Sequence, residues 1–514
     1  MLGRVRVQES PIDHIYSWTE RRPALALITV ILAWALLRIV FFDGCWWAWD
    51  DWFHVRYAYL WDGPPKNIYE ARLFFNALLR ASMAIFGFRP IAWAMPGLLA
   101  SLMTVLSAYW LGLRQLGRTG AFVAGVVAAC MPIDILFCSV PLAGPVSAGF
   151  AACALALLLG SESRSGLAMA IAAASLAALC HPAGVFAVLA MAAAGFFFFS
   201  RKRAIVFVAA AIPLFLALDM GASALASGGD PFHNYALLRN WRDPDGYVLM
   251  YSAAWFTRPF TSLVFSKAFG LTIPIVVAGL FVAPLRRSRV YLGLLAYCFF
   301  VWLWFSFGTA KPTTYEPFWR DTRFWQPMTP ALALMAAWIA QKKPSVRGPL
   351  LLGVCGLGVI LVASSGVWGQ AAGISGDMWQ YVRRNPNAMF LADSQTIMQL
   401  EAYNRFQAIP NVCALPCSTR SLSRQPVFLL FNPLNQPEQT PNRPKPVQLG
   451  IGNMRCGAPV LVTALKPRVI AAFLPLAVLR RYPFLIRRPP GAIRPVLFAP
   501  GASEKTMACD AAPE

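Results

Sequence analysis

Two carboxylates stand side by side, Asp50 and Asp51, just after a long apolar run. They lie in Cys45-Trp46-Trp47-Ala48-Trp49-Asp50-Asp51-Trp52-Phe53-His54-Val55-Arg56-Tyr57-Ala58-Tyr59-Leu60. A carboxylate held beside a membrane surface and desolvated by tryptophans is suited to act as a general base. The pair also suits the start of a short helix, where Asp caps free N–H groups and meets the positive end of the dipole. Capping explains one Asp well and two less well. Arg56 and Tyr57 follow Asp51 by five and six residues. The apolar Trp52, Phe53 and Tyr59 suit a helix lying along the interface. The four histidines, His14, His54, His181 and His233, show no ligand spacing, so no metal cluster is visible. A divalent ion shared by the two aspartates stays open.

The elements that must position this pair follow from composition. Of 514 residues, 58% are hydrophobic and 13% charged, with a mean hydropathy of +0.53. A soluble domain carries about 25% charged residues, so this chain belongs in a bilayer. The net charge of +22 does not signal nucleic acid, because the basic residues form short clusters at the ends of apolar runs rather than a patch interleaved with aromatics.

Eleven apolar runs are long enough to span: 23–42, 91–113, 119–139, 142–160, 165–180, 184–200, 204–224, 268–284, 290–308, 325–341 and 349–369. Each approaches the roughly 20 residues that the hydrocarbon core needs. One set of connections is short and basic: the N-terminus with Arg4, Arg6, Arg21 and Arg22, then Arg114 with Arg118, Arg164, Arg201 to Arg203, Arg286 to Arg289, and Lys342 to Arg347. These should face the cytoplasm. The alternating set, 43–90, 140–141, 181–183, 225–267, 309–324 and all beyond 370, holds most of the acids and the long Trp- and Tyr-rich loops. The expected topology is N-terminus in, C-terminus out, with the first run a retained helix rather than a cleaved signal.

A transporter keeps ionisable groups near the bilayer midplane. Here the intramembrane acids are few, and Asp134 and Asp219 read as helix-end residues at the outer boundary, as does His181 before Pro182. Acidic, polar and aromatic residues instead converge on the outer side, which places the candidate site there.

The stretch Asp50-Asp51-x-Phe-x-x-Arg56-Tyr57-Ala58 resembles the first-loop motif of GT-C glycosyltransferases, polytopic enzymes that take a sugar from a polyprenyl-phosphate carrier at the outer membrane face. The group includes protein O-mannosyltransferases, lipid A aminoarabinose transferases, mycobacterial arabinofuranosyltransferases and oligosaccharyltransferases. Its members follow the acidic pair with two amphipathic helices, and residues 50–62 and 72–86 have that look. The stretch Arg320-Asp321-Thr322-Arg323-Phe324-Trp325-Gln326-Pro327-x-x-Pro330 is similar to the group's late outer loop, where Arg and an aromatic precede spaced prolines. No Trp-Trp-Asp motif stands in the terminal domain, which argues against an oligosaccharyltransferase.

The resemblance implies a GT-C-like helical membrane domain over 1–369 and an extracytoplasmic domain over 370–514. It implies transfer of a hexose or pentose from a polyprenyl-phosphate donor to an extracytoplasmic glycan, lipid or protein, with inversion at the anomeric centre. The base would be Asp50 or Asp51, the group's usual assignment favouring the first acid. The donor phosphate would meet Arg323, Arg320 and Lys311 from one loop and Arg56 and Arg72 from another, since guanidinium grips phosphate bidentately. His54, Tyr57, His233 and Trp241 would line the sugar or acceptor. The expected setting is a bacterial inner membrane, with lipid and no nucleic acid as partner. The rival reading is a polytopic transporter or flippase.

Beyond residue 370 the chain carries more Pro, Asn and Gln. Helices near 376–384 and 395–407 and strands near 388–392, 426–431 and 458–463 make a small α/β unit. Its cysteines, Cys413, Cys417, Cys456 and Cys509, suit disulfides outside the cytoplasm, with three connectivities open. The apolar stretch 469–479, followed by Arg480 and Arg481, is expected along the membrane.

Overall fold

The computed structural model describes residues 17–45, 49–240, 260, 268–308, 322–343, 347–365, 368–414, 426–431, 447–448, 454–456, 461–463, 491–498 and 508–509. The chain is a polytopic helical membrane protein with a small α/β unit near its C-terminus. Among the described residues five helices are long and apolar enough to cross a membrane: Pro23–Val40, Pro90–Ala129, Ala143–Gly160, Arg201–Ser227 and Arg289–Phe307. Shorter apolar helices stand at Leu73–Phe86, Arg164–Cys180, Ala183–Phe199, Thr272–Phe281 and Arg347–Val362.

In chain order the helices used below are α1 (Pro23–Val40), α2 (Trp49–Leu60), α3 (Leu73–Phe86), α4 (Pro90–Ala129), α5 (Pro132–Phe137), α6 (Ala143–Gly160), α7 (Arg164–Cys180) and α8 (Ala183–Ala194). There follow α9 (Arg201–Ser227), α10 (His233–Asn240), α11 (Arg289–Phe307), α12 (Thr329–Lys342), α13 (Trp368–Arg384) and α14 (Ser394–Tyr403). The residues fold as two compact units, Met1–Phe42 with Trp61–Ser365, and Asp43–Leu60 with Gly366–Glu514. The first-loop helix α2 therefore belongs with the terminal residues.

In the first unit α4 is two helices joined by a sharp turn, because Gly117 leaves helical geometry at φ 79°, a conformation that costs only glycine little. The two arms press together: a Cβ on Gly112 would sit 2.7 Å from the Ala121 Cα. The expected run 119–139 is interrupted at Met131-Pro132, since proline disfavours helical geometry in the residue before it. Close approach recurs through the core, where a Cβ on Gly149 would meet Ala100 at 2.6 Å. Alanine and glycine faces of this kind let helices associate in lipid, where hydrophobicity alone gives no drive.

Polar contacts in this unit sort the loops as their charges do. Arg118 donates to the Glu20 carbonyl at 2.8 Å, Arg203 to the Ser161 carbonyl at 2.6 Å, and Gln341 to the Leu116 carbonyl at 2.8 Å. Every one of these joins two members of the basic set. On the other side His181 lies against Phe324 and His233 against Pro65, joining members of the alternating set.

In the second unit the strand order is β2-β1-β3-β7-β5, with β6 also on β7. The strands are β1 (Met389–Ala392), β2 (Val412–Ala414), β3 (Val427–Phe431), β4 (Val447–Gln448), β5 (Met454–Cys456), β6 (Leu461–Thr463), β7 (Gly491–Phe498) and β8 (Ala508–Cys509). β1 pairs parallel with β2 and β3, and β3 antiparallel with β7. Met378, Val382, Phe390, Leu400 and Leu430 form the core between sheet and helices. Cys413 is disulfide-bonded. The stretch 469–479 lies outside the described residues.

One turn in this unit is unusual. After α14, the Arg405 N–H donates to the Ala402 carbonyl and the Phe406 N–H to the Glu401 carbonyl. This is the pair of hydrogen bonds that closes a helix end around a left-handed residue, a place normally taken by Gly. Here Arg405 and Phe406 both hold positive φ, 56° and 62°, at roughly 1–2 kcal/mol each.

Candidate active site

Helix α2 carries five of the residues singled out from sequence. Its acids fall in the first turn, where the dipole favours them. Asp51, His54, Val55 and Ala58 recur at the spacing of one helical face, and all are buried, Asp51 at 1% and His54 at 0% exposure. Tyr57 is buried beside them. The Asp51 carboxylate accepts the Trp52 N–H at 3.1 Å. Asp50 sits off this face and is half-buried.

Trp52, Arg56 and Tyr59 form a second face. The Trp52 indole N–H donates to the Met398 carbonyl at 2.8 Å, and its ring meets Phe406 edge-on at 5.6 Å. Tyr59 reaches the same Phe406 at 6.3 Å. Both rings thus pack on protein while staying partly exposed. Arg56 stacks over Trp52 at 5.8 Å. Burial raises the Glu401 carboxyl above its ordinary range, and the Arg56 charge pulls it back.

In the first unit, the residues after α2 build a second cluster. Glu70 is buried and its carboxylate accepts the Lys66 N–H at 2.8 Å, while Asn67 accepts the N–H groups of Tyr69 and Glu70 at 3.0 Å. Asn76, on α3, closes the loop by donating to the Tyr69 and Glu70 carbonyls. Arg72 stacks over Tyr69 at 5.3 Å. His233, at the start of α10, contacts the Pro65 carbonyl at 2.7 Å. That oxygen can only accept, so Nε2 carries the proton. Glu70 was missed from sequence, and its position two residues before Arg72 was the available signal.

Arg323 stands on a 3-10 stretch, Thr322–Met328, and lies over Phe324 at 5.2 Å. Phe324 stacks on Phe305 of α11 at 5.5 Å and lies 5.3 Å from the His181 ring. His181 is buried, and its Nδ1 accepts the Ala183 N–H at 2.9 Å, which fixes the tautomer. Next to this cluster an apolar groove of about 380 Å³ runs between α8 and α11, lined by Phe186, Leu189, Phe300, Leu303, Trp304 and Phe307.

A buried ionic network anchors the same stretch. Arg38 of α1 pairs with Asp134 of α5, and Ser101 of α4 donates to the same carboxylate. Trp34 donates to Ser101 at 2.8 Å. Gln326 donates to the other Asp134 oxygen at 2.9 Å. Arg38, Asp134 and Gln326 are 3%, 0% and 1% exposed. Asp134, expected at the aqueous boundary, is instead the hub that joins four segments. Beside it the Trp325 indole N–H, the Gln326 Oε1 and the Thr329 hydroxyl are buried without a protein partner among the described residues.

Asp50, Asp51, His54, Arg56 and Tyr57 thus share one helix of the second unit, while Arg72, His233 and Arg323 belong to the first. Lys311, Arg320 and Trp241 lie outside the described residues. Among the described residues no three His, Cys, Asp or Glu side chains gather as a metal site requires.

No protein-family model and no curated protein sequence matches this chain. Among solved structures it is similar to ArnT from Cupriavidus metallidurans in the apo state, with a TM-score of 0.49, 14% identity, and 79% of this chain and 92% of that one covered. The same protein bound to undecaprenyl phosphate gives 0.47, 13%, 79% and 92%. The Archaeoglobus fulgidus oligosaccharyltransferase tethered to an acceptor peptide gives 0.45, 12%, 77% and 64%.

Proposed function

We propose that this chain is a membrane glycosyltransferase that moves a sugar from a polyprenyl-phosphate donor to a hydroxyl at the outer membrane face. The observation that carries this reading is the division of labour on α2: Asp51 is buried and bonded to its own helix, whereas Asp50, one residue away, is partly exposed. Asp50 is then the base. It takes the acceptor proton as that oxygen attacks the anomeric carbon, and the phosphate leaves with the electron pair of the broken C–O bond. A single displacement of this kind inverts the anomeric centre. Asp51, His54 and Tyr57 sit in the packed face and hold the helix.

Arg323 receives the departing phosphate. Its support is a rigid seat: the Phe324 ring beneath it, Phe305 and His181 beyond, and the Gln326 tether to Asp134. The neighbouring groove between α8 and α11 suits a prenyl chain, being lined by aromatic and aliphatic side chains. The test uses bacterial inner membranes containing an outer-face acceptor, supplied with radiolabelled undecaprenyl-phosphate hexoses and pentoses. Wild-type chain should transfer label from one of them. Arg323→Lys should lose at least about tenfold, because charge survives but the bidentate fork does not. Label that crosses sealed vesicles without being transferred would favour the transporter reading and overturn this one.

The proposed setting is the inner membrane, with the basic loops in the cytoplasm and the terminal unit outside. The disulfide at Cys413 suits an oxidising compartment. After reduction, Cys413 should react with a membrane-impermeant thiol reagent in intact spheroplasts. Reaction only after the membrane is opened would reverse the orientation.

A further inference from the structure

We propose that the strained turn at Arg405 and Phe406 is a positioning clamp that sets the orientation of α2, and with it the Asp50 carboxylate. This rests on the reading of α2 as the carrier of the base. Three interactions, two of them contacts, converge from the terminal segment onto one face of α2. The Met398 carbonyl accepts the Trp52 indole N–H at 2.8 Å. The Phe406 ring sits edge-on to Trp52 at 5.6 Å and beside Tyr59 at 6.3 Å. The Arg56 charge acts on the Glu401 carboxyl, and Arg56 itself lies over Trp52. All three partners belong to α14 or the turn that ends it.

The turn shows the signature of a built device. Helix ends of this geometry normally place Gly at the left-handed position, yet here two side chains hold positive φ in succession. A relaxed end at Asn404 would carry the Phe406 ring elsewhere. The closing bond from the Phe406 N–H to the Glu401 carbonyl, 2.7 Å, fixes the ring and Glu401 together, so the aromatic and charged contacts are set by one local conformation. Trp52 and Tyr59 are held from the terminal segment, while Asp50, two residues before Trp52, stays partly exposed. A base works only when its carboxylate is held in reach of the proton, so loosening this face should lower the chemical step rather than donor binding. Phe406 is therefore a positioning residue.

The experiment compares Phe406→Ala, Phe406→Tyr and wild type as full-length chains in membranes. Amide exchange of residues 49–60 is one readout, and kcat and donor KM with the undecaprenyl-phosphate sugar that wild type uses are the other. Phe406→Ala should raise exchange in 49–60 about tenfold, the scale of losing two aromatic contacts. It should lower kcat about tenfold and leave KM unchanged, and Phe406→Tyr should restore both. Unchanged exchange in 49–60 for Phe406→Ala would overturn the clamp. So would looser exchange with undiminished kcat. Exchange of 389–392 must stay at the wild-type level, and should it rise, Phe406→Leu takes the place of the Ala variant with the same expected outcomes. Failure of the base reading shows separately, as normal transfer by variants of Asp50, and leaves the exchange result standing.

Discussion

Asp134→Ala should destabilise the helical unit by about 3–5 kcal/mol, because it leaves the Arg38 guanidinium buried without its carboxylate. Arg38 and Asp134 are both almost fully buried, and nothing in a bilayer can hydrate an orphaned charge. The loss extends beyond the pair. Ser101 and Gln326 also give their hydrogen bonds to Asp134, so α1, α4, α5 and the Arg323 stretch come apart together. Accumulation in membranes and thermal melting in detergent both read this. Replacing both partners, Arg38→Met with Asp134→Leu, should recover most of the stability, since apolar substitutes of similar size carry no desolvation cost. Transfer should remain low in that double variant, because Gln326 has lost its anchor. Normal melting of Asp134→Ala would show that the network is not a support.

Sequence made the apolar helices legible and their partners illegible. Apolar runs announce themselves by length, and a helix stands in each of the eleven stretches read from composition. Arg38 gave no signal, being one basic residue near the end of an apolar run, 96 positions from Asp134. A pairing at that separation follows from the fold and not from any local pattern. The docking of α2 on α14 was hidden for the same reason, Trp52 and Met398 being 346 residues apart. The packing of Trp52 and Tyr59 on Phe406 has no local signal either, because aromatic side chains serve protein packing and lipid contact equally well.

The end of α14 was misplaced for a sharper physical reason. The expected helix 395–407 runs past its real end at Tyr403, since Arg405 stands where Gly would have marked the stop. Strand β7 was missed because Pro495 lies within it, and proline argues against a central strand. The structure pairs that strand with β3, β5 and β6 nonetheless. The acidic pair falls in the first turn of α2, as its place after an apolar run suggests. The choice between its members for the proposed base depends on which face of α2 is covered, and sequence leaves that open.

That choice leads to the largest expected effect on activity. Asp50→Asn keeps size and much of the capping ability, since Asn caps helices about as well as Asp. A residue that only caps would tolerate the change. A general base would not, and losing one lowers rates by roughly 10²–10⁴-fold. Asp51→Asn should behave differently: its buried carboxylate already accepts the Trp52 N–H, so the variant should lose stability or orientation more than intrinsic transfer. The two variants thus separate a chemical role from a structural one on the same helix turn.

The most direct measurement is therefore the initial rate of transfer by Asp50→Asn, in membranes given the undecaprenyl-phosphate sugar that wild type uses, with protein amounts matched by blot. A rate at least about 10²-fold below wild type is expected, with α2 exchange unchanged and the residual product carrying the inverted anomeric configuration. Near-normal transfer by Asp50→Asn in a normally inserted protein would contradict the account.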